Sequence, residues 1–244
     1  ASTISTNLTI TYRLQESNTR YHVSYTIYPS GYLNVACHLE ANPNAPEIPR
    51  IGTRFRVPSD LNQMEYFGRG PEENYRDRNH GTLVEHYKST AEQQYVPYVR
   101  PQENGHKTDV RWLALTDKTG KGLLFVADSN LIEVNVSRNR IENFDSEEST
   151  SPYQWQNFTK DESHDPLMAQ NRKPKQTHVN EILPRNFVEV CLDHRMMGVA
   201  GDDSWGSRPY PRYTLSANRD YYWSVMIIPI NNNSEINNHT GYRY

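Results

Sequence analysis

Residues 3–14 read TISTNLTITYRL, residues 21–29 read YHVSYTIYP and residues 32–41 read YLNVACHLEA, with Ser30-Gly31 between the last two. Apolar and polar side chains alternate with period two through all three runs, the pattern of strands buried on one face. Ser30-Gly31 predicts a two-residue hairpin turn, because glycine supplies the positive φ that such turns require. The three runs therefore predict an antiparallel meander. A chain that reverses after each short strand builds antiparallel sheets, not a parallel sheet with helical crossovers.

The same grammar continues outward. ANPNAPEIPR (41–50) carries three prolines, which cannot sit inside a sheet, and predicts a crossover before a strand at IGTRFRVP (51–58). Further strands are predicted at LNQMEYFG (61–68), GTLVEHYKST (81–90), VRWLALTD (110–117), GLLFVAD (122–128) and LIEVNVSR (131–138). LTDKTGKGLL (115–124) and FVADSNLIEV (125–134) read as hairpins closed on polar loops. From 141 to 180 the period is lost, and the segment reads as a long excursion with one short helix over Pro166–Asn171. Loops of that length are uncommon in compact domains unless functional or docked on a partner. Strands resume at NFVEVCLD (186–193) and YTLSANRDYYWSVMIIPI (213–230), and the polar tail, residues 231–244, is expected to fray. The expected fold class is all-β, a large antiparallel β-sandwich forming one domain over residues 1–244.

A net charge of −3 provides no basic field, which argues against nucleic acid and anionic membranes as partners. No apolar run is long enough to cross a bilayer, and ASTISTNLTI (1–10) lacks the features of a signal peptide. The 17 tyrosines suit a broad sheet that contacts sugars or protein neighbours. Cys37 and Cys191 lie in apolar strand-like runs and are expected to be free core thiols. That tilts the cellular location towards the cytoplasm, with the periplasm as the alternative. No Cys/His spacing suits zinc, and no metal site is expected. Sequons at Asn7, Asn135, Asn157, Asn232 and Asn238 arise easily by chance in an Asn-rich chain and do not imply glycosylation.

Three stretches interrupt the strand pattern: YFGRGPEENYRDR (66–78), YVPYVRPQENGHKTDVRW (95–112) and MGVAGDDSWG (197–206). The first has two glycines but no following Gly-Lys-Ser/Thr or helix, so it does not read as a phosphate loop. Glu72, Glu73, Glu103, Asp202 and Asp203 are candidates by type for a glycosidase's carboxylate pair. Each sits among turn residues, where carboxylates commonly accept backbone N–H bonds, so structural roles are favoured. No nucleophile elbow anchors a Ser/His/Asp site. Trp205 is the anomaly, a large apolar ring in a turn-rich segment. It either folds back onto the core or offers a platform to a flat apolar ligand face such as one side of a sugar.

In this order and at these separations the three stretches resemble the C-terminal domain of large bacterial β-galactosidases of glycoside hydrolase family 2, the β-galactosidase small-chain domain. The resemblance covers about Tyr66 to Pro229. It implies a supersandwich of the galactose-mutarotase-like class, attached to a TIM-barrel domain that holds the family's two catalytic glutamates and hydrolyses terminal β-D-galactose residues with retention. No catalytic residue is then expected in this chain. The resemblance implies that Trp205 reaches the active site and stacks on substrate, with Gly201, Asp202 and Asp203 shaping the loop that presents it. Implied partners are the catalytic TIM-barrel domain or a large subunit, the galactoside, and further copies in a homo-oligomer. No cofactor is assigned to this domain, and magnesium and sodium would belong to the parent enzyme. The chain lacks the family's Arg-Ala-Pro-x-Asp-Asn-Asp segment, so it is expected to be N-terminally truncated. Residues 151–180 match the family weakly. Two other readings remain: a sugar epimerase using His86, His106 and Glu103 as acid and base, and a stand-alone carbohydrate-binding or small-subunit module.

Overall fold

The structure is a computed structural model that describes residues 5–15, 17–144, 179–203 and 205–240. Eight strands form the larger sheet, in the order β1 (Thr6–Leu14), β2 (Thr19–Ile27), β3 (Leu33–Leu39), β12 (Tyr221–Ile230), β9 (Gly122–Ala127), β8 (Trp112–Thr116), β5 (Gln63–Gly70), β6 (Leu83–Thr90). The smaller sheet runs β4 (Arg50–Pro58), β11 (Phe187–Met196), β10 (Ile132–Ser137), β7 (Lys107–Val110). Every pairing is antiparallel, and the fold is an all-β sandwich.

Alternation along each strand builds the layers. Val35, Leu113, Phe125 and Val225 from the larger sheet meet Val57, Val134, Val190 and Leu192 from the smaller in one buried cluster. The intervening residues Trp112, Leu124, Val126 and Ile228 form a second cluster on the outer face of the larger sheet. That outer face is covered by helix α1 (Glu235–Thr240) through Ile236. The tail therefore does not fray over residues 231–240. Ile236 and Thr240 are buried, Thr240 Oγ1 donates to the Ile236 carbonyl at 2.9 Å, and Asn233 Nδ2 donates to Glu65 at 2.8 Å.

Four other expectations are corrected. The turn between β2 and β3 is closed by Tyr28 N–H to the Tyr32 carbonyl at 2.9 Å, which leaves three loop residues with Gly31 at φ +82°. It is a three-residue hairpin rather than a two-residue one. Residues 115–124 form the predicted hairpin, but 125–134 do not: β9 and β10 belong to different sheets, so residues 128–131 cross the sandwich. The crossing is held where Asp128 N–H donates to the Ser224 carbonyl and Asp128 accepts Ser224 Oγ at 3.0 Å. Only the second half of residues 213–230 is strand. Leu215 and Ala217 instead accept backbone bonds from Ile48 and Asn42 of the Pro-rich crossover, because buried Leu215 packs with Leu39, Ile51 and Tyr221. Finally, β7 lies inside the second interrupting stretch, where no strand is predicted before Val110.

The helix expected over 166–171 falls outside the described residues. Cys37 and Cys191 are unpaired and buried, and burial pushes the Cys191 thiol up to about 12. Among the described residues no helix is long and apolar enough to cross a membrane.

Candidate functional site

The three interrupting stretches converge at one end of the sandwich. Asn74, in the first, ties it to the second. Its N–H donates to the His106 carbonyl at 2.8 Å, and its Oδ1 accepts Thr108 N–H at 2.9 Å and Thr108 Oγ1 at 2.5 Å. Glu73 does the same with a charge: it accepts Gly105 N–H at 2.7 Å, Arg78 at 2.8 Å and the Tyr98 hydroxyl. The Tyr75 ring stacks on His106 at 5.3 Å, and the Arg78 guanidinium lies over the Tyr75 ring at 4.7 Å. Glu73 is thus a fully engaged structural carboxylate, whereas Glu72 stays at the surface.

The third stretch lies in a loop over residues 198–213, closed at its base by Gly198 N–H to the Tyr213 carbonyl at 2.8 Å. Asp77 fastens it to the first stretch, accepting Ala200 N–H at 2.7 Å. The approach is close enough that a Cβ on Gly198 would lie 2.4 Å from Asp77 Oδ2. Met197 N–H donates to the Pro49 carbonyl at 2.9 Å, and Arg208 pairs with Glu47, so the Pro-rich crossover holds the loop from the other side.

At the loop's tip Asp203 Oδ1 accepts Trp205 N–H at 2.8 Å and Ser207 N–H at 3.3 Å, the local capping that Asp side chains favour in turns. Gly201 and Gly206 carry φ +95° and +84° on either side of it, conformations that side-chain-bearing residues rarely adopt. Asp202 is exposed. Trp205 is 93% exposed, so of the two readings its sequence left open, packing onto the core is not the one observed. Asp77, Asn74 and the Arg208–Glu47 pair escaped the sequence reading, because their partners lie up to 161 residues away.

Beneath these loops lies a buried ionic network. Arg50 donates to Asp193 at 2.8 Å and to Asn135 at 2.5 Å; His106 meets Asn135 at 2.7 Å and Glu133 at 3.1 Å. Burial alone pulls the His106 imidazole down, and the hydrogen bond and charge of Glu133 outweigh it, leaving it above its usual range. Burial pushes Asp193 up against the opposing charge of Arg50. Glu103 sits 3.5 Å from Arg50. His106 has no exposed surface, and His86 lies beside Trp112 on the outer face, 3.1 Å from Glu65. The acid and base of the epimerase reading are therefore not brought onto one surface. Among the described residues no group of three His, Cys, Asp or Glu side chains is arranged to hold a metal.

The arrangement is a loop tied at its base to other segments and presenting an exposed indole. Comparison with known proteins gives it a context. A family model described as beta galactosidase small chain matches residues 1–227. The chain is 31% identical to a β-galactosidase of Priestia megaterium over 89% of its length, and 30% identical to one of Halalkalibacterium halodurans over 81%. It is also 31% identical over 90% of its length to β-galactosidase BgaC of Bifidobacterium adolescentis. It spans only 18%, 17% and 18% of those three relatives.

Proposed function

The chain belongs to the β-galactosidase small-chain family, and on that premise we propose that it is the non-catalytic C-terminal part of a β-galactosidase, completing a substrate site whose catalytic carboxylates lie outside these 244 residues. Trp205 is the contributing group. One face of its indole covers the apolar face of a β-galactoside, excludes water there and orients the glycosidic bond towards the catalytic pair, which acts with retention. Gly201, Asp202 and Asp203 form the loop that presents the ring. Any magnesium or sodium the enzyme uses is held elsewhere.

The observation that carries this reading is the contrast between an indole 93% exposed and a loop base tied at Asp77, Tyr213 and Glu47. An exposed aromatic on a mobile tether would be unremarkable; one held in place has a ligand to meet. The test is Trp205→Ala and Trp205→Phe in the assembled enzyme. Losing a stacked ring removes about 1.5–3 kcal/mol, so kcat/KM for a β-galactoside should fall about 10- to 100-fold. Phe should restore most of it, and the melting temperature of the chain should not move. Wild-type kinetics in Trp205→Ala would refute the proposal.

A further inference from the structure

We propose that the open edge and apolar face of β1, with the groove beside its end, form the seat for an added β-strand supplied by the part of the β-galactosidase outside these 244 residues. This rests on the reading of the chain as one part of a larger enzyme whose catalytic region the Trp205 loop faces.

β1 is the edge of the eight-stranded sheet. It pairs with β2 from Thr6↔Ile27 to Leu14↔Thr19 without a register shift, and among the described residues no strand pairs with its other side. Exposed edges are normally blunted by short length, charge, proline or a bulge, since their free N–H and C=O groups template pairing. β1 is nine residues long, TNLTITYRL, with Arg13 as its sole charge and no proline.

Its two faces differ. On one, Thr9 bonds Ser24 at 2.9 Å, Thr11 bonds His22 at 2.9 Å and Arg13 bonds Asn18 at 2.8 Å, a surface finished for water. On the other stand Leu8, Ile10, Tyr12 and Leu14. They lie opposite Tyr25, Val23, Tyr21 and Thr19, and directly paired residues share a face. Val23 is buried in the inter-sheet core, yet Leu8, Tyr12 and Leu14 are 53%, 45% and 42% exposed. The apolar inner face of the sandwich thus runs on past the four-stranded sheet that covers it. At the Leu14 end it opens into a groove of about 740 Å³ lined by Leu14, Tyr21, Leu39, Pro46, Ile48 and Ile51.

An alternating edge beside an apolar face fits a β-strand whose own apolar residues point down onto the sandwich. Two observations assign that strand to the rest of the enzyme rather than to a second copy. The chain spans 18% of its relatives, so most of such a protein lies outside it. The groove wall is also the segment that holds the Trp205 loop, through Glu47 with Arg208 and the Pro49 carbonyl with Met197 N–H. The occupant therefore touches the element that must face the catalytic region, and seating it orients that loop.

The test is amide hydrogen exchange over residues 6–14, in the isolated chain and in the assembled enzyme. The outward-pointing, alternate amides should exchange at least about 100-fold more slowly in the assembly, as paired amides do. The double variant Leu8→Lys/Tyr12→Lys changes two half-exposed side chains; it should lower the melting temperature of the isolated chain only slightly and remove the protection in the assembly. Equal exchange in both forms would overturn the proposal, as would protection that survives the double variant. Protection in the isolated chain that grows with concentration, together with a dimer mass in sedimentation, would assign the edge to a second copy instead. Free exchange at β1 in an enzyme that Trp205→Ala still impairs would overturn this inference and leave the proposed function standing.

Discussion

Gly198→Ala is the substitution that most directly separates the loop's anchoring from its chemistry. The new Cβ would lie 2.4 Å from Asp77 Oδ2, 2.6 Å from Cγ and 3.0 Å from Cβ. These atoms include the root of the Asp77 side chain, so a rotation of its carboxylate alone does not clear the clash. Either Asp77 swings away and surrenders its bond to Ala200 N–H, or the loop base lifts off and weakens the Gly198 N–H bond to Tyr213. Losing a hydrogen bond to a charged acceptor costs about 1.5–3 kcal/mol, which in a domain of this size lowers the melting temperature by about 2–4 °C per kcal/mol. The effect on activity should be larger than that on stability. Trp205 is attached to the displaced base, and a misplacement of about 1 Å at a positioning group can cost about 100-fold. Thermal unfolding of the chain and steady-state kinetics of the assembled enzyme read the two effects. Asp77→Asn, which keeps an acceptor oxygen in place, should be mild in both. Wild-type stability and kinetics in Gly198→Ala would refute the view that the Asp77 contact sets the loop.

Ile236→Ala should destabilise the chain by about 2–5 kcal/mol, the range for emptying a buried aliphatic site, because Ile236 is 3% exposed against Trp112 and Leu124; an unchanged unfolding midpoint in urea would mean that α1 does not dock. Lys107 is buried, its Nζ donates to the Gly105 carbonyl at 3.2 Å, and burial pulls it down to about 8 against the charges of Glu73 and Glu72. A folded value below the unfolded one means that the cost is complete below about pH 8 and is relieved as pH rises from about 8 towards about 10.4. Wild-type stability should therefore gain about 3 kcal/mol from this group over that window. In Lys107→Met the pH 7 stability should rise and that part of the pH dependence disappear, which urea unfolding at a series of pH values would check.

The strands were legible because period-two alternation is a local property: β1, β2 and β3 show it without reference to any neighbour. Sheet membership was not. A hairpin and a crossover both look like two apolar runs around Asp128-Ser129-Asn130, and what separates β9 from β10 is the placement of Ser224, 96 residues away from Asp128. β7 was hidden for a related reason. Lys107 and Thr108 are polar by type but buried in place, satisfied by the Gly105 carbonyl and by Asn74. The tail was misread because a single isoleucine gives no period, although one buried side chain on an apolar sheet face is enough to dock a short helix.

The same division between local and remote information governs the site. Trp205 was legible as a contradiction between residue type and local sequence, and Gly201 and Asp203 as turn formers. The residues that make the indole a fixed group are Asp77, Glu47 and Tyr213, each ordinary in its own segment. A loop held only by its own glycines and Asp203 would present the ring in many orientations and lose most of its binding energy to ordering it. Closing the base at Tyr213 and tying it to Asp77 and Glu47 in other segments limits that freedom. The tie at Glu47, and a further one from Met197 N–H to the Pro49 carbonyl, belong to the wall of the groove beside β1. A strand seated there would press on the same wall that holds the loop, so under the proposed function docking and substrate contact would share one mechanical element. Weakening the Arg208–Glu47 pair would therefore disturb both, while Trp205 itself can be replaced without touching the seat.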